Sequence, residues 1–511
     1  MSNNKQIANN IFYNALSYGI NLLLSFFLTP YLIRVVGKEA YSFFPLVNNM
    51  LGYTEILTAT IGSMAGRYIT MAYYEGNHEE TKGYFNSAIT AYIAFSILFC
   101  IIGIFVVIFI NDILNIPNGL TNQVRLLFGL ALLGACFNLC TYLFGIGTYV
   151  KNRLDIGSKY GLLNKAFYLI ILFSLFALFK PSIVYISVAS FISVLFGVGI
   201  RYHLKRRFLP EISFQPLHYF SWRKIRTLLN SGIWMSVNSL SNILCTSIDL
   251  LLTNIFISAA VTGDFSVSKT IPTFIASISG VVGGTFTANF NILYAKKQNE
   301  ELLHEIKKSM VIISFLISVP IGYFMVNSDY FLQLWVSSAY TPDMARLSLI
   351  AMILSATGYS TNSIYGVYTI TDKRKIPSFA LLAAGLLNSL LLFIFLKFTN
   401  LGVYGIAISS AISLGLRNII FTPIYGARCL HLKKGTFYPY LLKGFIGIAI
   451  VAGITMLSRL FMEQITWITF ALNAVVVCTL SLIANYYYFL KKEERQYLQI
   501  VLLNKIKFLK R

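Results

Sequence analysis

"NNIFYNALSYGINLLLSFFLTPYLI" (residues 9–33) decides how this chain is read. It carries no charged side chain and exceeds the roughly 20 apolar residues that a helix needs to cross the hydrocarbon of a bilayer. Yet its first half is not uniformly greasy. Written on a helix, Asn10, Asn14, Ser17 and Asn21 fall at i, i+4, i+7 and i+11, which is one face. A lipid-soluble helix with a stripe of amides either glues itself to neighbouring helices through hydrogen bonds or lines a hydrated space.

The rest of the chain repeats the theme. Its 511 residues are 56% hydrophobic and only 12% charged, with a mean hydropathy of +0.68. Soluble proteins carry about 25% charged residues, so the composition points to an all-α polytopic membrane protein. Apolar runs lie near 8–33, 41–73, 83–111, 125–150, 157–180, 182–200, 229–258, 266–294, 308–327, 346–371, 376–398, 402–426, 440–462 and 465–490, about 14 spans by the length a bilayer requires. The net charge of +22 raises nucleic acid as a partner. Most of the 41 basic residues, however, fall in connections on one side, including "KNRLDIGSK", "RYHLKRR", "TDKRK" and the tail from 491. That is the positive-inside pattern; it places both termini in the cytoplasm and removes the support for nucleic acid. The tail alternates basic and apolar residues, as a helix lying on the cytoplasmic lipid surface does. Cys100, Cys136, Cys140, Cys245, Cys429 and Cys478 form no C-x-x-C pair and read as small hydrophobes. The five histidines show no metal-ligand spacing.

The basic connection at 201–228 divides the first six spans from the next six. Sliding the second half over the first by 221 residues sets Arg125 on Arg346, Gly145 on Gly366, Thr148 on Thr369, Arg153 on Arg374, and "HEE" (78–80) on "NEE" (299–301). A shift of 224 sets "NALS" (14–17) on "NSLS" (238–241). An internal duplication with an even number of spans per copy gives two six-helix lobes related by a pseudo-two-fold axis along the membrane normal. The expected organisation is 1–200 as the first lobe, 201–228 as the basic cytoplasmic connection, 229–426 as the second lobe, 427–490 as two further spans and 491–511 as a basic cytoplasmic tail. The amide stripe then has a partner: Ser231, Asn238, Asn242 and Asp249 share one face of span seven. Matching stripes in both halves favour a shared hydrated cavity.

Three stretches carry a family resemblance. "FFLTPYLIRVVGKEAYSFFPLVNNM" (26–50) resembles the first hairpin of the polysaccharide-exporter (Wzx-type) flippases, which belong to the multidrug/oligosaccharidyl-lipid/polysaccharide exporter superfamily. "TGDFSVSKTI" (262–271) is similar to the matching turn between spans seven and eight, and "LQLWVSSAYTPDMARL" (332–347) to the outer connection before span ten. The resemblance covers nearly the whole chain through diffuse motifs. It implies a flippase that moves a lipid-linked (undecaprenyl-type) oligosaccharide from the cytoplasmic to the outer leaflet of the bacterial plasma membrane, for O-antigen, lipopolysaccharide or capsule assembly. Membrane lipids are implied partners, and polysaccharide polymerase or transferase proteins are candidates.

An anionic lipid phosphate asks a cavity for guanidinium, ammonium and amide donors. Intramembrane cations are Arg67, Lys165, Lys269 and Arg417. By the run boundaries, Arg67 and Lys165 stand within two turns of the cytoplasmic end, and Lys269 stands near the outer end of span eight, all within snorkelling reach. Arg417 lies about 13 Å from its nearest end. An unpaired charge at bilayer centre costs about 2.5–3.5 kcal/mol, so a retained one needs a reason. The substrate-binding set expected from this is Asn10, Asn14, Ser17, Asn21, Arg67, Asn238, Asn242 and Arg417. Glu55 and Asp249 are the deep carboxylates and the candidates for H+ or Na+ coupling; a structural ion pair or amide contact is the competing reading. Tyr13, Tyr18 and Trp234 offer aromatic faces for sugar stacking. No other cofactor is expected. A cation-coupled multidrug exporter of the same superfamily is the alternative, although span one offers amides where many such exporters carry an acid. An enzyme would need catalytic groups in a sizeable polar loop, and the outward connections are short and poor in them. No G-x-x-x-x-G-K-[ST] phosphate loop is present, so ATP hydrolysis has no seat here.

Overall fold

The computed structural model describes residues 3–461 and 466–490; a few further side chains, Asn14 among them, lie outside the described set, as does the basic tail at 491–511. Every regular element among the described residues is helical. The main helices are α1 (Asn3–Val36), α2 (Lys38–Gly52), α3 (Glu55–Tyr74), α4 (His78–Ile108), α5 (Thr121–Thr141), α6 (Leu154–Leu178), α7 (Val184–Phe208), α8 (Trp222–Asn242) and α9 (Ile248–Phe256). They continue with α10 (Ala259–Ala295), α11 (Asn299–Val336), α12 (Pro342–Gly358), α13 (Asn362–Ile370), α14 (Lys375–Phe398), α15 (Val403–Leu416), α16 (Thr422–Cys429), α17 (Tyr438–Arg459) and α18 (Trp467–Phe489).

Among the described residues, 12 helical stretches are long and apolar enough to cross a membrane. Two of the apolar runs read from the sequence are not among them, because their helices are interrupted. The run at 41–73 breaks between α2 and α3, and the run at 346–371 breaks between α12 and α13. No proline stands at either break. Instead a threonine hydroxyl takes a carbonyl from the helical ladder: Thr54 Oγ1 donates to the Leu51 carbonyl at 2.6 Å, and Thr361 Oγ1 to the Gly358 carbonyl at 2.8 Å. Such local bonds compete with the i→i−4 pattern, which is why the break is invisible to hydropathy.

The 221-residue offset reappears in the backbone. Gly76 and Lys297 both take a left-handed conformation, at φ 75° and 59°. In each case the next residue returns its N–H to the carbonyl five residues back: Asn77 to Ala72 and Gln298 to Leu293, both at 3.0 Å. One span-pair later, Asn152 and Asp372 sit at φ 53° and 52°, again followed by a five-residue return from Arg153 to Thr148 and from Lys373 to Tyr368. A lysine at positive φ is unusual, so helix ends closed the same way at offsets of 221 and 220 residues support an internal duplication beyond the residue matches.

The chain divides into two compact units, 1–266 and 267–511. In the first, α3 packs against α8, and Gly232 is needed there: a Cβ would lie 2.5 Å from the Thr60 carbonyl oxygen. The Thr60 and Ser236 hydroxyls meet beside it, and Ser236 Oγ also donates to the Ile56 carbonyl at 2.8 Å. The core of this unit includes Ile61, Ile69, Phe85, Ile89, Tyr92 and Leu143. The basic connection is docked, not free: Ser213 and Gln215 pair their backbones with Asn86 at 3.0 and 2.8 Å, and the Ser221 N–H meets Ser87 Oγ at 2.9 Å.

The second unit is organised on α11, which packs along α17 and α18. A Cβ on Gly322 would lie 2.7 Å from the Val451 Cβ, so these helices approach as closely as backbones allow. Asn485 donates to Ser318 Oγ at 2.9 Å, and Asn327 reaches the Asn473 amide oxygen at 3.4 Å. Arg459 clamps the far end with 2.7 Å bonds to Asp329 and to the Val326 carbonyl, and its guanidinium lies 3.9 Å from the Tyr330 ring centroid.

Candidate functional site

The first unit is hollow. Two adjoining chambers, of 340 and 630 Å³, open among α1, α2, α3, α5, α6 and α7 and share Asn48, Leu51, Ala131, Ser190 and Val194 in their walls. Lipid-soluble helices rarely enclose polar groups without use for them. Here the smaller chamber is walled by Asn21, Ser25, Asn48, Asn164, Lys165, Tyr168, Ser187, Ser190 and Ser193 together with leucine, valine and isoleucine side chains. The larger one adds Thr54, Glu55, Thr58, Asn138 and Tyr142.

Lys165 stands in the wall of the smaller chamber. The helix that carries it begins at Leu154, so the residue is about 16 Å along the axis rather than within two turns of the end. Its ammonium donates to the Asn21 amide oxygen. Two further polar oxygens on the same wall, Asn164 Oδ1 and Ser193 Oγ, are buried without a hydrogen-bond partner. Arg201, which the sequence places in a basic connection, instead sits within α7. It extends to Asn138 in the larger chamber, donating to its amide oxygen at 2.6 Å, and also bonds the Gly197 carbonyl at 3.3 Å. The signal available in the sequence was the four-residue spacing from Gly197, which leaves the arginine room to fold back along its own helix.

The amide stripe of α1 separates into two uses. Asn10 is buried and fully engaged: its amide donates to the Asn152 carbonyl and Oδ1, both at 3.2 Å, and it accepts the Asp155 N–H at 2.7 Å. It ties α1 to the turn before α6. Asn21 faces the hollow. Ser17 is half-buried, and the side chain of Asn14 lies outside the described residues. Tyr13 has Lys159 4.4 Å from its ring centroid, which occupies one of the faces that a sugar would use.

Glu55 opens α3, is exposed, and lines the larger chamber. Arg67 is exposed on the same helix, toward its other end. Asn238 is half-buried and Asn242 exposed, both in the last turns of α8. There the helix loosens into a π-helical turn at Ile243–Ser247, and Asp249, 1% exposed, opens the regular helix beyond it. Such turns insert one extra residue and are common where a membrane or enzyme helix carries function.

A second π-helical turn, Arg417–Phe421, lies between α15 and α16 and begins on the other deep cation read from the sequence. Arg417 places its guanidinium 5.1 Å from the Tyr365 ring centroid, and its buried Nε has no hydrogen-bond partner. Tyr365 in turn donates to Asn418 Oδ1 at 3.2 Å, and Asn418 to Thr357 Oγ1 at 3.3 Å, across the break between α12 and α13. In each half, then, an arginine of the sixth span lies against the fourth span close to a helical irregularity: Arg201 lies beside the tight turn Tyr142–Gly145, and Arg417 beside the α12–α13 break.

Among the described residues, helices alone, many of them apolar enough to span a membrane, with interrupted helices and a polar hollow among them, make an integral membrane protein. Residues 7–287 match the model of the family described as "Polysaccharide biosynthesis protein". That is more than half of the chain, and the protein belongs to this family. Its relatives include the uncharacterized membrane protein EpsK of Bacillus subtilis (strain 168), 26% identical over 490 residues covering 94% of this chain and 95% of that one. A candidate O-antigen transporter of Shigella flexneri is 21% identical over 441 residues, covering 83% and 98%. Among solved structures, the lipid II flippase MurJ in its inward closed conformation superposes with a TM-score of 0.64 at 13% identity, covering 94% of this chain and 98% of that one. The resemblance to the polysaccharide-exporter family read from residues 26–50, 262–271 and 332–347 is thereby met over the length of the chain.

Proposed function

We propose that this protein is a flippase for a lipid-linked oligosaccharide, carrying it from the cytoplasmic to the outer leaflet of the bacterial plasma membrane for cell-surface polysaccharide assembly. The observation that carries the reading is a lysine-bearing, amide-walled hollow among the spans of a polysaccharide biosynthesis family member. Such a molecule has a polar sugar, an anionic phosphate and a long apolar tail. Moving it asks for hydrated space inside the protein and a lipid-facing exterior around it. The relatives named for O-antigen transport and for lipid II flipping point the same way.

Counting the two interrupted helical pairs as spans gives about fourteen passes, with both termini cytoplasmic by the basic connections. In this reading Arg67 and Arg417 read the phosphate in a central hydrated cationic cavity. Asn21, Asn238 and Asn242 offer amides to the sugar. Glu55 and Asp249 couple transport to H+ or Na+. Asn10 keeps a structural place in the scheme through its bonds to the 152–155 turn. Polymerase or transferase partners would meet the cytoplasmic or outer connections. The test is the leaflet distribution of lipid-linked oligosaccharide in cells lacking the gene. Accumulation on the cytoplasmic leaflet with loss of surface polysaccharide supports translocation; normal polysaccharide with raised drug sensitivity favours the multidrug-exporter alternative.

A further inference from the structure

We infer that a groove on the lipid-facing surface of the first unit, between the basic ends of α6 and α7, seats an acidic phospholipid of the surrounding bilayer. The groove lies outside the bundle and is separate from the hollow within it. The argument starts from what each helix leaves uncovered. On α6, Lys159, Leu163, Ala166, Ile170 and Phe173 are exposed, at i, i+4, i+7, i+11 and i+14, which is one face. On α7 the exposed stripe runs from Ile192, Leu195 and Phe196 through Tyr202 to Arg206 and Arg207. The two helices pack side by side, with the Phe167 and Phe196 ring centroids 4.5 Å apart. An apolar stripe left uncovered on a membrane-spanning helix faces hydrocarbon. Both stripes turn cationic at the same end, because α6 begins there at Leu154 and α7 ends there at Phe208. Tyr202, with the Arg206 guanidinium 4.7 Å from its ring centroid, stands where an interfacial aromatic belongs.

Between these ends lies a groove of 290 Å³, formed by Ile156, Lys159, Tyr160 and Leu163 of α6 and by Arg207 of α7. Two cations therefore line one small space. Among the described residues neither is paired with a carboxylate: Lys159 lies 4.4 Å from the Tyr13 ring centroid and Arg207 5.7 Å from that of Phe208. Asp155, one turn before Lys159, is buried and held by Arg153 through bonds of 3.0 and 3.2 Å. Two like charges sharing a groove repel each other until an anion lies between them. Basic pockets between membrane helices take acidic headgroups in this way.

The floor of the groove separates a lipid from a free anion. Ile156 and Leu163 are apolar, and the exposed stripe continues from Leu163 to Phe173. Ten helical residues span about 15 Å, which is half of the roughly 30 Å hydrocarbon thickness and so the depth of one leaflet. A headgroup between Lys159 and Arg207 leaves its acyl chains lying along that stripe. The proposed topology puts this end at the cytoplasmic leaflet, and only that placement rests on it; the binding does not depend on what the protein transports.

The experiment is native mass spectrometry of the detergent-solubilised full-length protein titrated with dioleoyl phosphatidylglycerol or dioleoyl phosphatidylcholine. Wild type should bind the first phosphatidylglycerol at least about tenfold more tightly than phosphatidylcholine. Lys159→Gln with Arg207→Gln should bring that preference below about twofold, and Lys159→Arg with Arg207→Lys should keep it. Arg223→Gln with Arg226→Gln, exposed cations of α8, should leave it unchanged. Should the neutral double variant fail to fold, Leu163→Glu, which adds a carboxylate to the groove at an exposed position, should abolish the preference. Equal binding of the two lipids by wild type, or a preference that survives in the folded neutral variants, would overturn the site. So would equal loss in the α8 variant, or displacement of the lipid by glycerol 3-phosphate at the same concentration. The leaflet assay fails independently: unaltered oligosaccharide distribution in gene-deleted cells sinks the flippase and leaves the measured lipid preference standing.

Discussion

The same residue type is put to opposite uses in the hollow of the first unit and in the α11–α17–α18 stack of the second. Both regions are apolar helices studded with Asn and Ser. In the stack, Gly322 lets α17 approach α11, while Ser318 and Asn327 of α11 pair with Asn485 and Asn473 of α18, and these polar groups become glue. In the hollow, the residues between the polar groups are Leu24, Leu28, Phe44, Val47 and Leu169, whose bulk holds the helices apart. The side chains of Asn21, Asn48 and Ser190 then line that space. What decides between glue and lining is the size of the neighbours, not the polar residue.

That comparison can be broken by substitution. The largest effect is expected where space is absent. Gly322→Leu should cost about 3 kcal/mol by driving α11 and α17 apart, read as a fall in thermal midpoint of the detergent-solubilised protein. A smaller loss should follow Arg459→Met, about 2 kcal/mol, because Asp329 and the Val326 carbonyl lose their charged partner at a partly exposed site. Asn485→Leu should cost about 0.6–1 kcal/mol, the worth of one interhelical hydrogen bond in a membrane. Ala131→Leu, which adds bulk to the wall shared by both chambers, should change stability by less than about 0.5 kcal/mol while abolishing oligosaccharide export. A large loss of stability in Ala131→Leu would mean that the hollow is packed protein.

Much of the fold was legible because hydropathy and basic connections are direct consequences of the bilayer. The helical, polytopic character and the family followed from runs such as 9–33 and 26–50. The breaks after Gly52 and Gly358 were not legible, since a threonine hydroxyl capturing one carbonyl leaves no mark on a hydropathy plot. The site was half legible. The face carrying Asn10 and Asn21 was readable from spacing, but their separate fates depend on what stands opposite: the 152–155 turn for one and Lys165 for the other. Those partners are more than a hundred residues away. Arg201 was hidden by its surroundings, because a cation among the basic residues of 201–207 looks like one more positive-inside charge until the helix is seen to continue through it.

The most direct test of a hydrated hollow is the reactivity of single cysteines, introduced at Ser190 and at Ser318 in a chain stripped of its native cysteines, toward a membrane-impermeant thiol reagent applied to both faces of the membrane. Ser190→Cys should label readily and Ser318→Cys should remain inert. An unreactive Ser190→Cys beside a reactive Ser318→Cys would contradict the account, because water would then reach the glycine-notched stack and not the space walled by Lys165.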